Sequence, residues 1–194
     1  MSSIIDILLE EHRNIEKLLL VLEQELEVFD HREPPDYEIL QAIIEYFQDY
    51  PEGYHHRKED IVFEKLKLRN AAAVARIGDV EAEHHLETKR LQRFAQAIDD
   101  ILAGREYPRQ SFHNVVYDFI EHQRQHMQKE ERLLFPAAVK ALQRDDWAEI
   151  DARINDRKDP LFNGATERKF DSLRQTILRW ERETGENRVK TIRA

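Results

Sequence analysis

The sequence contains no cysteine. Disulfides, thiolate zinc sites, iron–sulfur clusters and cysteine nucleophiles are therefore excluded. Glycine and proline are scarce, at five and six residues of 194, so the usual helix breakers are few. Glu, Leu, Arg, Lys, Gln and Ala, which lose little rotamer freedom in a helix, dominate instead. No stretch approaches the roughly 20 apolar residues of a membrane span. The N-terminal segment carries acids where a signal peptide needs an uninterrupted apolar core. No basic stripe is present, and the formal charge of −9 comes from acids and bases mixed along the chain, so nucleic acid is not an expected partner. A cytoplasmic protein without a membrane partner is the expectation. The length suits one domain with a substantial core.

What is there is helical periodicity. Ile5, Leu8, His12, Ile15, Leu19, Leu22 and Leu26 recur at spacings of three and four, a single stripe running to about Phe29. Ser2 or Ser3 is its expected cap, with Asp6 as partner. A polar turn with Pro34 and Pro35 follows. The second helix carries Ile39, Ile43, Phe47 and Tyr50. Pro51 and Gly53 should then kink or briefly break it before Tyr54, His55, Glu59, Val62, Phe63 and Leu66. A third helix is predicted from about Ala71 to Ala103, and a fourth from beyond Pro108 to near Leu142. The pattern predicts an all-α fold, an antiparallel up-down-up-down four-helix bundle over residues 1–143. Residues 144–194 are expected to form a short C-terminal helical extension packed on that bundle, with Trp147, Phe162 and Trp180 as packing residues and Asp159–Gly164 as a turn.

Histidines and glutamates sit inside these apolar stripes. His126 and Glu130 lie four apart, on one helical face, and so do His55 and Glu59. His12 and His84 stand in the first and third stripes. Each alone has a plain explanation: a histidine in an apolar stripe is more often a core residue with one hydrogen bond, and an i,i+4 His–Glu pair is often a surface pair. The coincidence of four points further. At 1.5 Å rise per residue in an up-down-up-down bundle, His12 lies roughly 13 Å from the shared end and His55 and Glu59 roughly 14–20 Å. His84 falls at roughly 20 Å and His126 and Glu130 at roughly 18–24 Å, about the same layer. So many polar groups buried without partners would cost several kcal/mol each, a cost that a metal removes.

Imidazole and carboxylate without thiolate suit iron, manganese or zinc. Six protein ligands are too many for one tetrahedral zinc but suit two ions that the glutamates could bridge. Two iron ions, as an oxo- or hydroxo-bridged di-iron centre, are the first expectation, with zinc or manganese possible. His122, one turn before His126, is a further candidate, as a ligand or as a partner to one. His84 is preferred over His85 because its apolar neighbours fall at the same offsets as those of His12. His56 and Asp60, rotated about 100° from His55 and Glu59, read as flanking groups. Glu81 and Tyr54 could reach the site. His31 and His113 read as solvated.

The pattern His … His-x-x-x-Glu … His … His-x-x-x-Glu, carried by His12, His55, Glu59, His84, His126 and Glu130, resembles the hemerythrin-like (HHE cation-binding) family over residues 3 to about 143. The strings His55-His56-Arg57-Lys58-Glu59-Asp60 and His126 to Pro136 resemble it too. The resemblance implies a non-haem di-iron site in a four-helix bundle that binds, senses or reduces O2, peroxide or NO, or handles iron. Oxygen-carrying members resemble His-x-x-x-His on the third helix, where this chain has Val80 and Thr88 one turn from His84. They also place an aspartate five residues after the last histidine, where Glu130 follows His126 by four. A more carboxylate-rich site with fewer imidazoles looks closer to oxidase, peroxidase-like or sensing chemistry than to carriage. The competing expectation is a helical interaction or dimerisation module in which the metal is only structural, with a possible homodimer through the C-terminal extension.

Overall fold

The computed structural model describes residues 3–154, 159–162 and 166–192, with side chains between 4 and 182. It is all-helical among the described residues. The helices are α1 (Ser3–Asp30), α2 (Tyr37–Asp49), α3 (His56–Arg69), α4 (Ala71–Ile77), α5 (Val80–Leu102), α6 (Arg109–Lys129), α7 (Phe135–Ala141), α8 (Arg144–Arg153) and α9 (Asp171–Ile192). The expected cap at Ser2 or Ser3 and the Asn163–Gly164 end of the expected turn lie outside the described residues and side chains.

Local chemistry sets the boundaries. Asp36 accepts hydrogen bonds from the backbone N–H groups of Glu38 (3.0 Å) and Ile39 (3.2 Å) and so caps α2, satisfying donors that a helix start leaves unpaired. Arg32, two residues beyond α1, turns the chain away from that helix in the left-handed region, at φ 66°. The third helix is not continuous from Ala71, as its periodicity predicts. Gly78 adopts φ 90°, a conformation open to glycine because it has no Cβ, and Asp79 starts α5 afresh by accepting from the Ala82 N–H at 3.1 Å. A short α4 therefore precedes α5. Pro51 and Gly53 do not break the second helix either. They open it into a π-helical turn, Pro51–His55, in which the Tyr54 and His55 N–H groups both donate to the Tyr50 carbonyl, at 2.9 and 3.3 Å. A second π turn, Glu130–Leu134, joins α6 to α7. Such turns are rare and cluster at functional positions.

Two apolar clusters form the core. The first joins Ile15, Leu18, Leu22, Phe47, Leu91, Phe94, Phe112 and Phe119 with Leu161, Phe170, Leu173 and Ile177 from the C-terminal region. The second joins Ile4, Leu8, Val62, Phe63, Leu66, Val80, Leu134 and Phe135 with Ile150 of α8. Chain segments cross from one cluster to the other at the candidate ligands: Leu8 to Ile15 across His12, Tyr50 to Val62 across His55 and Glu59, Val80 to Leu91 across His84, and Met127 to Leu134 across Glu130. The polar layer is thus held between two dry blocks. Helix α1 packs on α6 with Phe29 against Phe112 (ring centroids 4.6 Å apart) near one end and His12 against Glu131 (3.0 Å) near the other, so the two run in opposite directions.

The C-terminal segments are tied to the rest by polar contacts as well. Asp146 receives Arg69 Nε and Nη2 at 2.9 and 2.8 Å, and the Tyr46 hydroxyl donates to Asp159 at 2.9 Å. No helix among the described residues is long and apolar enough to cross a membrane.

Phe119 stacks edge-on against Phe47 at 5.0 Å and tilts against Phe94 at 5.7 Å, with 1% of its surface exposed. Phe119→Ala is expected to cost about 3–5 kcal/mol of unfolding free energy through the cavity it leaves. Urea denaturation of the metal-free chain measures this, and a loss below about 1 kcal/mol would show that the first cluster is not packed around this ring.

Candidate metal centre

Six elements bring their polar residues into the layer between the clusters. His12 comes from α1, His55 from the π turn, Glu59 and His56 from α3, His84 from α5, His126 from α6 and Glu130 from the second π turn. All seven are buried. Two groups have ligand-capable atoms within 4.8 Å of one another: His12, His55 and Glu59, and His56, Glu59, His84 and His126. Glu59 belongs to both.

The distances show how the two carboxylates are shared. Glu59 Oε1 lies 3.1 Å from His12 Nε2 and 3.2 Å from His55 Nε2, while its Oε2 lies 3.4 Å from His84 Nε2. Glu130 Oε2 lies 3.5 Å from His12 Nε2, and its Oε1 lies 3.4 Å from His126 Nε2 and 3.7 Å from His84 Nε2. Each glutamate turns one oxygen toward His12 and the other toward the His84 side. Glu59 Oε2, both Glu130 oxygens, and Nε2 of His84 and of His126 are buried without a hydrogen-bond partner. Buried polar atoms are rarely left so, and here they converge on one space.

The outer nitrogens are held too. His55 Nδ1 lies 2.8 Å from Glu11, His12 Nδ1 3.0 Å from Glu131, His84 Nδ1 2.9 Å from Asp60 and His126 Nδ1 3.4 Å from Glu83. An Nδ1–H donated outward leaves the Nε2 lone pair facing inward. His56 stacks on His84, with centroids 4.2 Å apart and planes at 9°.

The electrostatics of the metal-free chain follow from this crowding. Burial works against a charged His12, yet the nearby carboxylates of Glu130, Glu131 and Glu59 raise it to about 11. Burial likewise opposes His84, but Asp60, Glu130 and Glu59 raise it to about 12. His126 is raised to about 9, against burial, chiefly by the charge of Glu130 and its bond to Glu83. His56 goes the other way, pushed well below the usual imidazole range by burial and then by His84. Burial would raise Glu59, but the His55 charge and the close approach of His12, His55 and His84 hold it well below the carboxylate range. Protons on the imidazoles thus occupy the role that a cation fills.

The sequence matches the hemerythrin HHE cation-binding domain over residues 3–138. The chain belongs to that family. Its buried His/Glu cluster is that of a cation-binding protein. No curated protein and no solved structure gives a significant match.

The six residues of the HHE pattern, His12, His55, Glu59, His84, His126 and Glu130, come together, and His122, the further candidate, does not join them. Its Nδ1 donates to the Asp118 carbonyl at 2.8 Å and lies 3.1 Å from the Asp118 carboxylate, with the side chain 37% exposed. It stands a full turn from His126, about 6 Å along the axis, beside solvent rather than between the clusters. His56 joins instead, so the imidazoles are not fewer than expected of this family's oxygen carriers. A straight helix would turn His56 away from His55; both are buried here, at the junction of the π turn and α3. His85 is exposed, His31 donates to the Glu27 carbonyl, His113 pairs with Asp30, and Glu81 pairs with Lys67. Glu11, Lys58, Glu83, Glu87 and Gln123 were not singled out by spacing alone. Glu87, at helical spacing from His84, is buried and receives the Gln123 amide.

A pH dependence follows. Raised histidines stabilise the metal-free fold fully below their ordinary 6.5 and lose that contribution as pH climbs through about 9 for His126 and higher for His12 and His84. The urea midpoint of the metal-free chain should fall from pH 6.5 to 9.5, while affinity for a divalent ion rises over the same interval because loading displaces those protons. A flat metal-free midpoint together with pH-independent affinity would contradict this charge distribution.

Proposed function

We propose that the chain is a non-haem di-iron protein in an antiparallel four-helix bundle, binding and reducing, or reporting on, small oxygen species such as O2, peroxide or NO. One observation carries the reading: Glu59 and Glu130 each direct one oxygen toward His12 and the other toward the His84 side, among five buried atoms that have no other partner. His12 and His55 would hold one ion, and His84, His126 and His56 the other, with both glutamates shared. Seven nitrogen- and oxygen-donor residues exceed what one tetrahedral zinc takes, and the absence of sulfur fits iron or manganese.

Iron bound there would supply one-electron chemistry and an open coordination position for an oxygen species. The chain's own residues keep that chemistry dry and poised. Phe135 stacks on His12 at 5.5 Å, and Leu8, Val62 and Leu134 close one side while Phe119 and Met127 lie on the other. Burial pushes the Glu87 carboxyl up to about 6, and it accepts the Gln123 amide at the edge of the layer. The geometry leaves Thr88 one turn beyond His84, its hydroxyl on the His84 carbonyl at 3.1 Å, where an oxygen carrier's third helix would offer a second imidazole.

Anaerobic reconstitution with ferrous iron, followed by exposure to O2 and then to peroxide, tests the proposal. About two irons per chain and a near-ultraviolet oxo-bridge absorption are expected, with both lost in Glu59→Ala and both retained in His122→Ala. One tightly held ion with no optical response to either oxidant would favour a purely structural metal and remove the oxygen chemistry.

A further inference from the structure

We propose that the centre is backed by a two-fold-repeated outer layer, Glu11, Lys58 and Asp60 from one half of the chain and Glu83, Lys129 and Glu131 from the other, which positions His12, His55, His84 and His126. This rests on the two-metal reading above and extends it to residues that the HHE pattern does not name.

The repeat is visible in sequence and in contacts. Glu11-His12 and Glu83-His84 are the same dipeptide. His55-His56-Arg57-Lys58-Glu59-Asp60 and His126-Met127-Gln128-Lys129-Glu130-Glu131 share His-x-x-Lys-Glu followed by an acid. The glutamate before the first histidine of each half reaches the second: Glu11 takes His55 Nδ1 at 2.8 Å, and Glu83 takes His126 Nδ1 at 3.4 Å. In each half the lysine three residues after that histidine bonds the same glutamate, Lys58 to Glu11 and Lys129 to Glu83. His126 and Lys129 are neighbours on α6, His55 and Lys58 span the junction of the π turn and α3, and in both halves histidine and lysine grip one carboxylate between them.

The closing acids are exchanged between halves. Glu131 holds His12 Nδ1 at 3.0 Å, and Asp60 holds His84 Nδ1 at 2.9 Å. Each half therefore supports the other by the same contact, as two copies do around a two-fold axis. A carboxylate on Nδ1–H fixes tautomer and ring orientation and makes Nε2 a stronger donor. The lysine restrains the carboxylate and offsets its charge.

The two clamps differ in one respect. Glu11 and Lys58 side chains are 8% and 4% exposed, whereas Glu83 and Lys129 are 34% and 25% exposed. Glu11 also accepts the Tyr50 hydroxyl at 2.7 Å. Electrostatic interactions strengthen as water is excluded, so the Glu11 clamp should act more strongly on its ion than the Glu83 clamp on the other. Ordinary surface ion pairs would change little beyond overall stability.

Cobalt(II) titration of the full chain against a competing chelator, read by its visible bands, resolves this ion by ion. His12→Ala and His84→Ala mark which bands belong to which ion. Glu11→Gln is expected to weaken the His12/His55 ion by about 10–100-fold and the other far less. Glu131→Gln should act on that same ion, and Glu83→Gln on the His84/His126 ion with a smaller effect. Should Glu11→Gln fail to fold with Lys58 left unpaired, Glu83→Gln and Lys129→Met carry the test at the more exposed clamp. If wild type binds two ions and these variants lower only the melting temperature of the metal-free chain, or weaken both ions equally, the outer layer is not a positioning device. If wild type binds fewer than two ions, the two-metal reading itself fails.

Discussion

Everything in this fold is arranged around one electrostatic constraint, the burial of two carboxylates and five imidazoles in a layer between two apolar clusters. Groups of this kind leave water only if their charges and lone pairs find partners. The structure meets that demand twice over. Inward, Glu59 and Glu130 face the Nε2 atoms across 3.1–3.7 Å. Outward, four carboxylates hold the Nδ1 atoms. The apolar blocks on either side exclude water from the layer, which strengthens each of those contacts and raises the penalty for losing any one of them.

The ligand layer was legible because helical periodicity and chemistry coincide in it. His12 and His84 interrupt apolar stripes at matching offsets, and the two His-x-x-x-Glu pairs put their side chains on core faces. The all-helical class followed from few glycines and prolines and from stripes of period near 3.6. Less was legible where the backbone departs from the regular helix. His56 reads as a neighbour of the site on a straight helix, and it joins the cluster at the end of a π turn whose wider winding alters the angle between consecutive side chains. The break at Gly78 was hidden by an Ala-rich segment before it and by apolar spacing that continues after it, and the glycine's positive φ with the Asp79 cap reveals it.

The outer layer presents a different lesson. Glu11, Lys58, Glu83 and Lys129 look like members of solvated faces, since charged residues in a helix normally are. Their second role depends on partners 43 to 47 residues away along the chain, a distance no local pattern reports. Their signal lay in the recurrence of Glu-His and His-x-x-Lys-Glu in both halves, which a search for apolar periodicity passes over. His122 shows the opposite case: spacing alone recommended it, and the structure turns it to Asp118 beside solvent.

The π turns make chain length itself a determinant of the site. Each accommodates one residue more than an α-helical turn would, and each sits beside a candidate ligand, at His55 in one case and Glu130 in the other. A π turn takes up its additional residue locally, so removing one residue from Glu130–Leu134 would return the backbone to ordinary α winding with His126 and Phe135 close to their present faces. The loss would fall on the turn itself, which would offer one side chain fewer beside Glu130. Chain length in these two turns therefore sets how many side chains border the layer, while the apolar packing beyond them is preserved.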